Sequence, residues 1–434
     1  MLVVVACAAA LPAQALAQGT PPTPPTPAAA PAQLRLEDAV RYAVSRNERA
    51  RISDLNVDVA DAAVEKARAA FLPIITMTGS DVQHANGPPH PPNIGTSAVT
   101  LNQPILNASA FPLYSQAKAL ADAQRAQNID DKRLLAFNAA TAFFAVLNAE
   151  DVVHAASNQL DMAKASFADA SGRAQAQLAS SNDVTRAQID LSDAQRELEA
   201  DKGLVDNAYV SLAFVLNWPV SAGSLVAPSA TLTAAQQPTP KMDWLVGFAM
   251  AHRPDLLVAK HQLTAAQYFA DEPLLRLVPV LGLQASASGT TNTPPSGFWY
   301  DALIGVTATW TIFDGGVRYA DKHSRDAQEE IADLSLQQLV RNVDAQIRSA
   351  VALLVSSQLA YQQAGQAAAS AKQSADETAI LYRRDLAKMI ELQDAKGARF
   401  TAEVNLATAE FSMAQAYLAL RQALGLEALG TDYR

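Results

Sequence analysis

Between residues 300 and 312 the apolar side chains fall on every second position: Tyr300, Ala302, Ile304, Val306, Ala308, Trp310 and Ile312. Asp301, Thr307, Thr309 and Thr311 share the other face with Leu303 and Gly305. A period of two predicts a strand with one apolar face. Tyr300 and Trp310 stand on that face, about 25 Å apart along the axis of a tilted barrel, which is the separation of the two aromatic girdles of an outer-membrane barrel. An amphipathic strand of a soluble sandwich would alternate in the same way.

Three further segments read as strands: about 74–83, 96–105 and 280–289, with the opening one at about 299–312. Their outward sets are Ile75, Met77 and Gly79, then Val99, Leu101 and Ile105, then Leu281, Leu283, Ala285 and Ala287. The intervening HANGPPHPPN and TTNTPPSG read as hairpin tips. Four strands are too few to close, and a bilayer tolerates no open sheet edge, so several chains must complete one barrel. Symmetry favours a ring.

The pattern changes to helical spacing elsewhere. No proline lies between Pro112 and Pro219 or after Pro295, so both stretches suit continuous helix. The run from Ser109 to Gln175 alone would span about 100 Å. The next segment carries Val184, Ala187, Leu191, Ala194, Leu198, Val205, Ala208, Leu212 and Val215 at alternating steps of three and four, with Asp201 breaking the stripe. Its counterpart runs Leu392, Ala395, Ala402, Leu406, Ala409, Met413, Ala416, Leu420 and Ala423, with Arg399 as the exception. Both are coiled-coil seams, rich in Ala that lets backbones approach. Shorter helices at about 36–70 and 242–276 would stack end to end with the heptad helix of their own half. A plain helical bundle with decorative strands is the competing reading.

The two halves repeat. Phe71-Leu72-Pro73 matches Leu277-Val278-Pro279 at an offset of 206, Gln103 to Asn107 matches Trp310 to Asp314 at 207, and Tyr209 and Leu212 match Tyr417 and Leu420 at 208. One unit of helix, strand pair, long helix and heptad helix is therefore duplicated. The chain divides into a signal peptide (1–17), a Pro/Ala-rich tether (18–33), a first repeat (34–218), a linker (219–241), a second repeat (242–425) and a tail (426–434).

Composition narrows the function. The start, MLVVVACAAALPAQALAQ, has an apolar stretch and a small-residue cleavage pattern at Ala15-Leu16-Ala17. The single cysteine, Cys7, lies inside it; a lipoprotein reading would make Cys7 the acylated N-terminus. A net charge of −10 without a basic run argues against a nucleic-acid partner. No catalytic, cofactor-binding or metal-ligating residue is expected: His84 and His90 share one tip loop, and His154, His252, His261 and His323 are scattered. Phosphate-loop and hydrolase motifs do not occur.

This duplicated arrangement resembles the TolC-like outer membrane efflux proteins, over about residues 34–425. LRLEDAVRYAVSRNER at 34–49 looks like that family's opening helix, MDWLVGFAMAHRPDL at 242–256 like its second opening, and TWTIFDGGVR at 309–318 like its exit from the last strand into a long helix. The resemblance implies a mainly α fold with a membrane β-barrel: a homotrimer whose twelve strands form a pore in outer-membrane lipid, continued by a periplasmic α-helical tunnel. Such proteins are not enzymes. They serve as exit ducts of tripartite pumps, docking through a periplasmic adaptor, the membrane fusion protein, onto an inner-membrane pump. Type I protein secretion is an alternative use of the same duct. A soluble periplasmic coiled-coil adaptor is an alternative of another class, and an enzyme using a carboxylate pair is a third.

The resemblance also implies roles for residues at the end farthest from the membrane. Glu391 and Asp394 match two lumen-facing acidic residues, Tyr382 a gate tyrosine, and Asp183 its acidic partner; the pair Glu391 and Asp394 could equally stabilise the first turn of a helix. Gln177 and Asp385 replace the family's turn glycine, and Ala387 holds the gate-arginine position, so a Tyr–Asp–Arg latch would lack its cation. Adaptor docking is expected at Gln177, Leu178, Ala179 and Ser180 and at Asp385, Leu386, Ala387 and Lys388. Asp314 and Asn107 are good N-cap types where strand becomes helix.

Overall fold

A computed structural model describes residues 33–82, 94–291 and 298–430. The signal and Cys7, nearly all of the tether, the hairpin tips with His84 and His90, and the last four residues lie outside the described residues. The first half runs α1 (Leu36–Arg46), α2 (Glu48–Arg68), β1 (Ile74–Val82), β2 (Ile94–Leu106), α3 (Ala110–Gln175) and α4 (Ser181–Leu216). A short α5 (Ser229–Ala235) follows. The second half repeats the order with α6 (Met242–His252), α7 (Pro254–Leu275), β3 (Val280–Thr291), β4 (Phe298–Thr309), α8 (Val317–Arg383) and α9 (Met389–Ala423).

Each opening helix is two helices, not one. Arg253 is extended because Pro254 follows it, which bars the helical region to the residue before proline. Asn47 is also extended, here as the N-cap of α2, its side chain accepting from the Arg49 amide at 2.9 Å. At these breaks α2 and α7 begin where α4 and α9 stop. Asn217, after the end of α4, donates its side-chain amide to Glu48 at 2.9 Å. Helices α3 and α8, of 66 and 67 residues, extend about 100 Å and pack against their heptad partners α4 and α9 on one stretch and against α2 and α7 on the other.

Two apolar clusters sit where α1 and α6 cover the long helices. One joins Leu36, Ala43, Phe143, Leu212 and Leu216, the other Leu245, Leu256, Ile347, Met413 and Leu420. Asp201, which interrupts the first seam, is nevertheless 7% exposed, and Leu216 is buried where Val215 was expected. In the second seam Lys396 is buried beside Ala395.

The strands form one antiparallel sheet in the order β1-β2-β3-β4. Register aligns the apolar sets: Ile75 pairs Leu101, Leu101 pairs Ala285, and Ala285 pairs Ile304. The adjacent row is Thr76, Thr100, Ser286 and Leu303. One face is therefore apolar across all four strands while the other is largely polar. Ile75, Met77, Tyr300, Ile304 and Val306 are 69% exposed or more. Among the described residues β1 and β4 each have one unpaired edge.

Three expectations about the sheet need correction. Ile105 has no partner on β3: the register shifts between Pro104 and Leu106, and Leu106 takes the place opposite Leu281. Pro104 lies beyond the last β1 pair, Ile74 with Asn102, where its missing N–H leaves no β1 bond unmade. β4 ends at Thr309, opposite Val280, because the next partner would be Pro279. Trp310 and Ile312 thus stand past the strand. Trp310 donates its indole N–H to the Leu277 carbonyl at 2.9 Å.

The strand exit also differs from a simple N-cap. Gly316, at φ 90°, is the capping position of α8, and Asp314 two residues earlier accepts from the amides of Gly316 and Arg318 at 3.1 Å each. Arg318, 2% exposed, closes the bend by bonding Asp314 at 3.0 Å and the Thr311 carbonyl at 2.8 Å. In the first half Ser109 is the capping position of α3, and Asn107 accepts from its hydroxyl at 2.9 Å.

Candidate functional site

At the end opposite the sheet, two turns join α3 to α4 and α8 to α9. Both close by the same hydrogen-bond pattern. The Leu178 amide donates to Arg173 O at 2.8 Å and that of Gln177 to Ala174 O at 3.0 Å; Leu386 donates to Leu381 O at 2.9 Å and Asp385 to Tyr382 O at 3.1 Å. This is a Schellman motif, whose αL position favours glycine. Gln177 and Asp385 occupy it at φ 58° and 62°. Neither side chain is free of the steric cost that a glycine there would avoid.

A capping box starts α4, and its carboxylate half alone starts α9. The Ser180 hydroxyl accepts from Asn182 N at 3.0 Å while Asp183 accepts from Ser180 N at 3.3 Å. Glu391 accepts from Lys388 N at 2.9 Å. Asp183 and Glu391 are repeat equivalents, and each spends one carboxylate oxygen on a helix end. Asp394 lies one turn further along α9 and is exposed. The predicted pair is therefore divided in duty: Glu391 caps, and Asp394 is free to face solvent.

Tyr382 is 6% exposed and packs with Ala170, Ala187, Met389 and Leu392. Its hydroxyl has no hydrogen-bond partner. Burial raises its pKa, reinforced by the carboxylates of Asp183 and Asp169 and opposed by Arg173. Tyr382 and Asp183 line one groove of about 310 Å³ between the turns, together with Arg173, Leu178, Asp385 and Ala387. Of the expected docking residues, Ala179 and Ala387 are half-buried and the others exposed, with Leu178 69% and Leu386 70% exposed.

The expected absence of a cation is corrected here. Position 387 is alanine, but Arg173 enters from α3, pairing with Asp385 and donating to Tyr382 O at 2.9 Å. Only its place on the last turn of a helix pointed to Arg173, and nothing local tied it to a residue more than 200 positions later. A buried cation further along α9, Lys396, donates to Met162 O at 2.8 Å and to the Ser166 hydroxyl. Burial lowers its pKa and raises that of nearby Asp190. In sequence it reads as a solvated neighbour of the seam.

The family model for outer membrane efflux proteins matches residues 41–217 and 245–426, one match for each half. The chain belongs to the outer membrane efflux protein family. It is 25% identical to outer membrane protein TolC of Escherichia coli K12 over 406 residues, covering 87% of this chain and 80% of TolC. Among solved structures, CusC superposes with a TM-score of 0.76 at 17% identity, covering 90% of this chain and 92% of CusC. VceC of Vibrio cholerae gives 0.75 at 16%, covering 91% and 97%. These likenesses extend to both the helical tunnel unit and the sheet. The protein is thus an outer-membrane efflux channel of the Gram-negative envelope.

Proposed function

We propose that three copies of this efflux channel close a twelve-stranded barrel in the outer membrane and continue it as a helical duct through the periplasm. The carrying observation is the four-stranded sheet with one apolar face and unpaired outer edges on β1 and β4. Such edges leave backbone groups unsatisfied in hydrocarbon, and pairing β4 of one copy with β1 of the next satisfies them. Lipid then covers the face of Ile75, Met77, Tyr300 and Ile304, and water fills the side of Thr76, Thr100 and Ser286. Tyr300 and Trp310 mark the two interfaces, Trp310 from just beyond its strand.

The turn end is the gate and the docking tip. Asp183, Tyr382, Glu391 and Asp394 narrow the opening. Leu178 and Leu386, exposed at the two turns, meet an adaptor that delivers small molecules from an inner-membrane pump. Passage through the duct is passive. The test is the mass of the detergent-solubilised protein together with its conductance in planar bilayers. A trimer that conducts is expected; a monomer without conductance would overturn the reading.

A further inference from the structure

Ion pairs between the antiparallel α2 and α3 recur at a seven-residue step toward the sheet, and the last step breaks the series. Asp54 pairs with Lys132 at 2.5 Å and Asp61 with Arg125 at 2.5 Å. One heptad nearer the sheet the same two stripes carry Arg68 and Lys118, two cations in place of a pair. Both are exposed, and among the described residues neither makes an ion pair. Of the carboxylates one turn away, Asp122 is bonded to Arg125 at 2.6 Å, which leaves the exposed Glu65 against two cations. The second half treats the same place differently. Arg325, the counterpart of Lys118 at an offset of 207, pairs with the buried Glu272 at 2.5 Å. The counterpart of Glu272 at 206 is Lys66, so the first half offers no acid there.

The next position on the α3 stripe is Phe111, 55% exposed, with its ring centre 5.0 Å from that of Phe71. Gln103 Nε2 donates to the Phe71 carbonyl at 3.0 Å, just as Trp310, the counterpart of Gln103, donates to that of Leu277, the counterpart of Phe71. Phe71 therefore stands at the girdle depth of Trp310. Arg68, three residues earlier, is about 5 Å further from the sheet. That is headgroup depth, since a bilayer of about 40–45 Å has a hydrocarbon core of about 30 Å.

We propose that Arg68 and Lys118 bind the phosphate of an anionic phospholipid in the periplasmic leaflet, with its chains directed past Phe111 toward the sheet; this rests on the reading of the sheet as the membrane-embedded part. The lipid phosphate supplies the negative charge that Asp54 and Asp61 supply on the two earlier steps. Arg68 lies in the last turn of α2, where a cation also complements the helix end. Lys118, in the third turn of α3, has no helix end within reach, and its nearest aromatic contact is the Tyr114 ring at 5.8 Å. Since Arg325 already holds Glu272, each copy carries one such site.

Native mass spectrometry of the channel in detergent, titrated with phosphatidylglycerol or phosphatidylcholine, tests the site. The wild type is expected to retain one phosphatidylglycerol per copy and to prefer it about tenfold over phosphatidylcholine. Arg68→Gln and Lys118→Gln are each expected to weaken phosphatidylglycerol binding about fivefold, and the double variant to lose the preference. Lys164→Gln, which removes one charge toward the turn end, is expected to bind as the wild type does. Because Arg68 and Lys118 are exposed, the variants are expected to keep the wild-type thermal midpoint without lipid. A double variant that holds phosphatidylglycerol like the wild type, or a wild type that holds both lipids equally, overturns the proposal. Displacement of the lipid by millimolar inorganic phosphate would show a free-anion site and overturn it as well. Each of these results leaves the conducting trimer standing, whereas a wild type that takes neither lipid and does not conduct overturns the membrane reading itself.

Discussion

Asn47 and Arg253 stand 206 positions apart and do the same thing with different chemistry. The Asn47 side chain donates to the Val215 carbonyl at 2.8 Å, and Arg253 donates from Nη1 to that of Ala423 at 2.9 Å. Val215 and Ala423 are themselves repeat equivalents, each in the last turn of a heptad helix. Each break in an opening helix therefore satisfies orphan carbonyls of the helix that ends against it. Arg253 is further held by Asp255 at 2.6 Å.

The second of these joints is tightly closed. Gly425, at φ 78°, follows α9, and a Cβ built on it would lie 2.9 Å from the Arg253 Cα and 3.1 Å from its amide. Both the backbone conformation and the contact with main chain exclude a side chain. Gly425→Ala is expected to cost about 2–3 kcal/mol, measured as a lowered thermal midpoint in detergent. An unchanged midpoint would mean that the joint can open without loss.

Asp201 is a buried carboxylate with an oxygen that has no hydrogen-bond partner. Burial raises its pKa, and the neighbouring Glu197 carboxylate adds to the effect. The folded chain thus holds this proton more tightly than the unfolded chain, so stability grows as pH falls through the raised value toward 3.8 and is lost as pH rises. Asp151, Asp190 and Glu410 act in the same direction, each chiefly through burial. The wild type is expected to melt higher at mildly acidic pH than above neutrality. Asp201→Asn is expected to gain about 1 kcal/mol at pH 7.5 and to flatten the pH dependence. A pH profile identical to the wild type would refute this.

Glu391 and Asp394 are separable by experiment because only the first is engaged at the helix end. Glu391→Ala is expected to lose about 1 kcal/mol of capping. Asp394→Ala is expected to leave stability unchanged. Replacing both is expected to weaken block of the reconstituted pore by multivalent cations, the field of the acidic ring being removed. Block that persists unaltered in the double variant would dismiss the acidic filter.

Arg318 ties the strand exit to the long helix. Arg318→Ala removes its bonds to Asp314 and the Thr311 carbonyl and leaves a hole at a side chain that is 2% exposed. A loss of about 3 kcal/mol is expected, read as a lower thermal midpoint. A variant as stable as the wild type would show that the bend is fixed by Asp314 alone.

Periodicity along the chain was enough to establish the kind of molecule. The alternation in 300–312, the heptad steps from Val184 and the absence of proline between Pro112 and Pro219 predict strands, seams and long helices, because each is a property of neighbouring residues. The duplication and the matching motifs extended this to the family. What the sequence alone left undecided involves partners far apart in the chain. The end of β4 depends on Pro279 just before the facing strand, and the bulge at Ile105 on how β2 pairs with β3. Asp201 and Lys396 are polar in any sequence pattern, yet helices from other parts of the chain cover them. The meeting of Arg173 with Asp385 needs two hairpins laid side by side. Only tertiary packing brings a cation and an anion together across more than 200 residues, because no local spacing encodes which helix ends arrive at the same place.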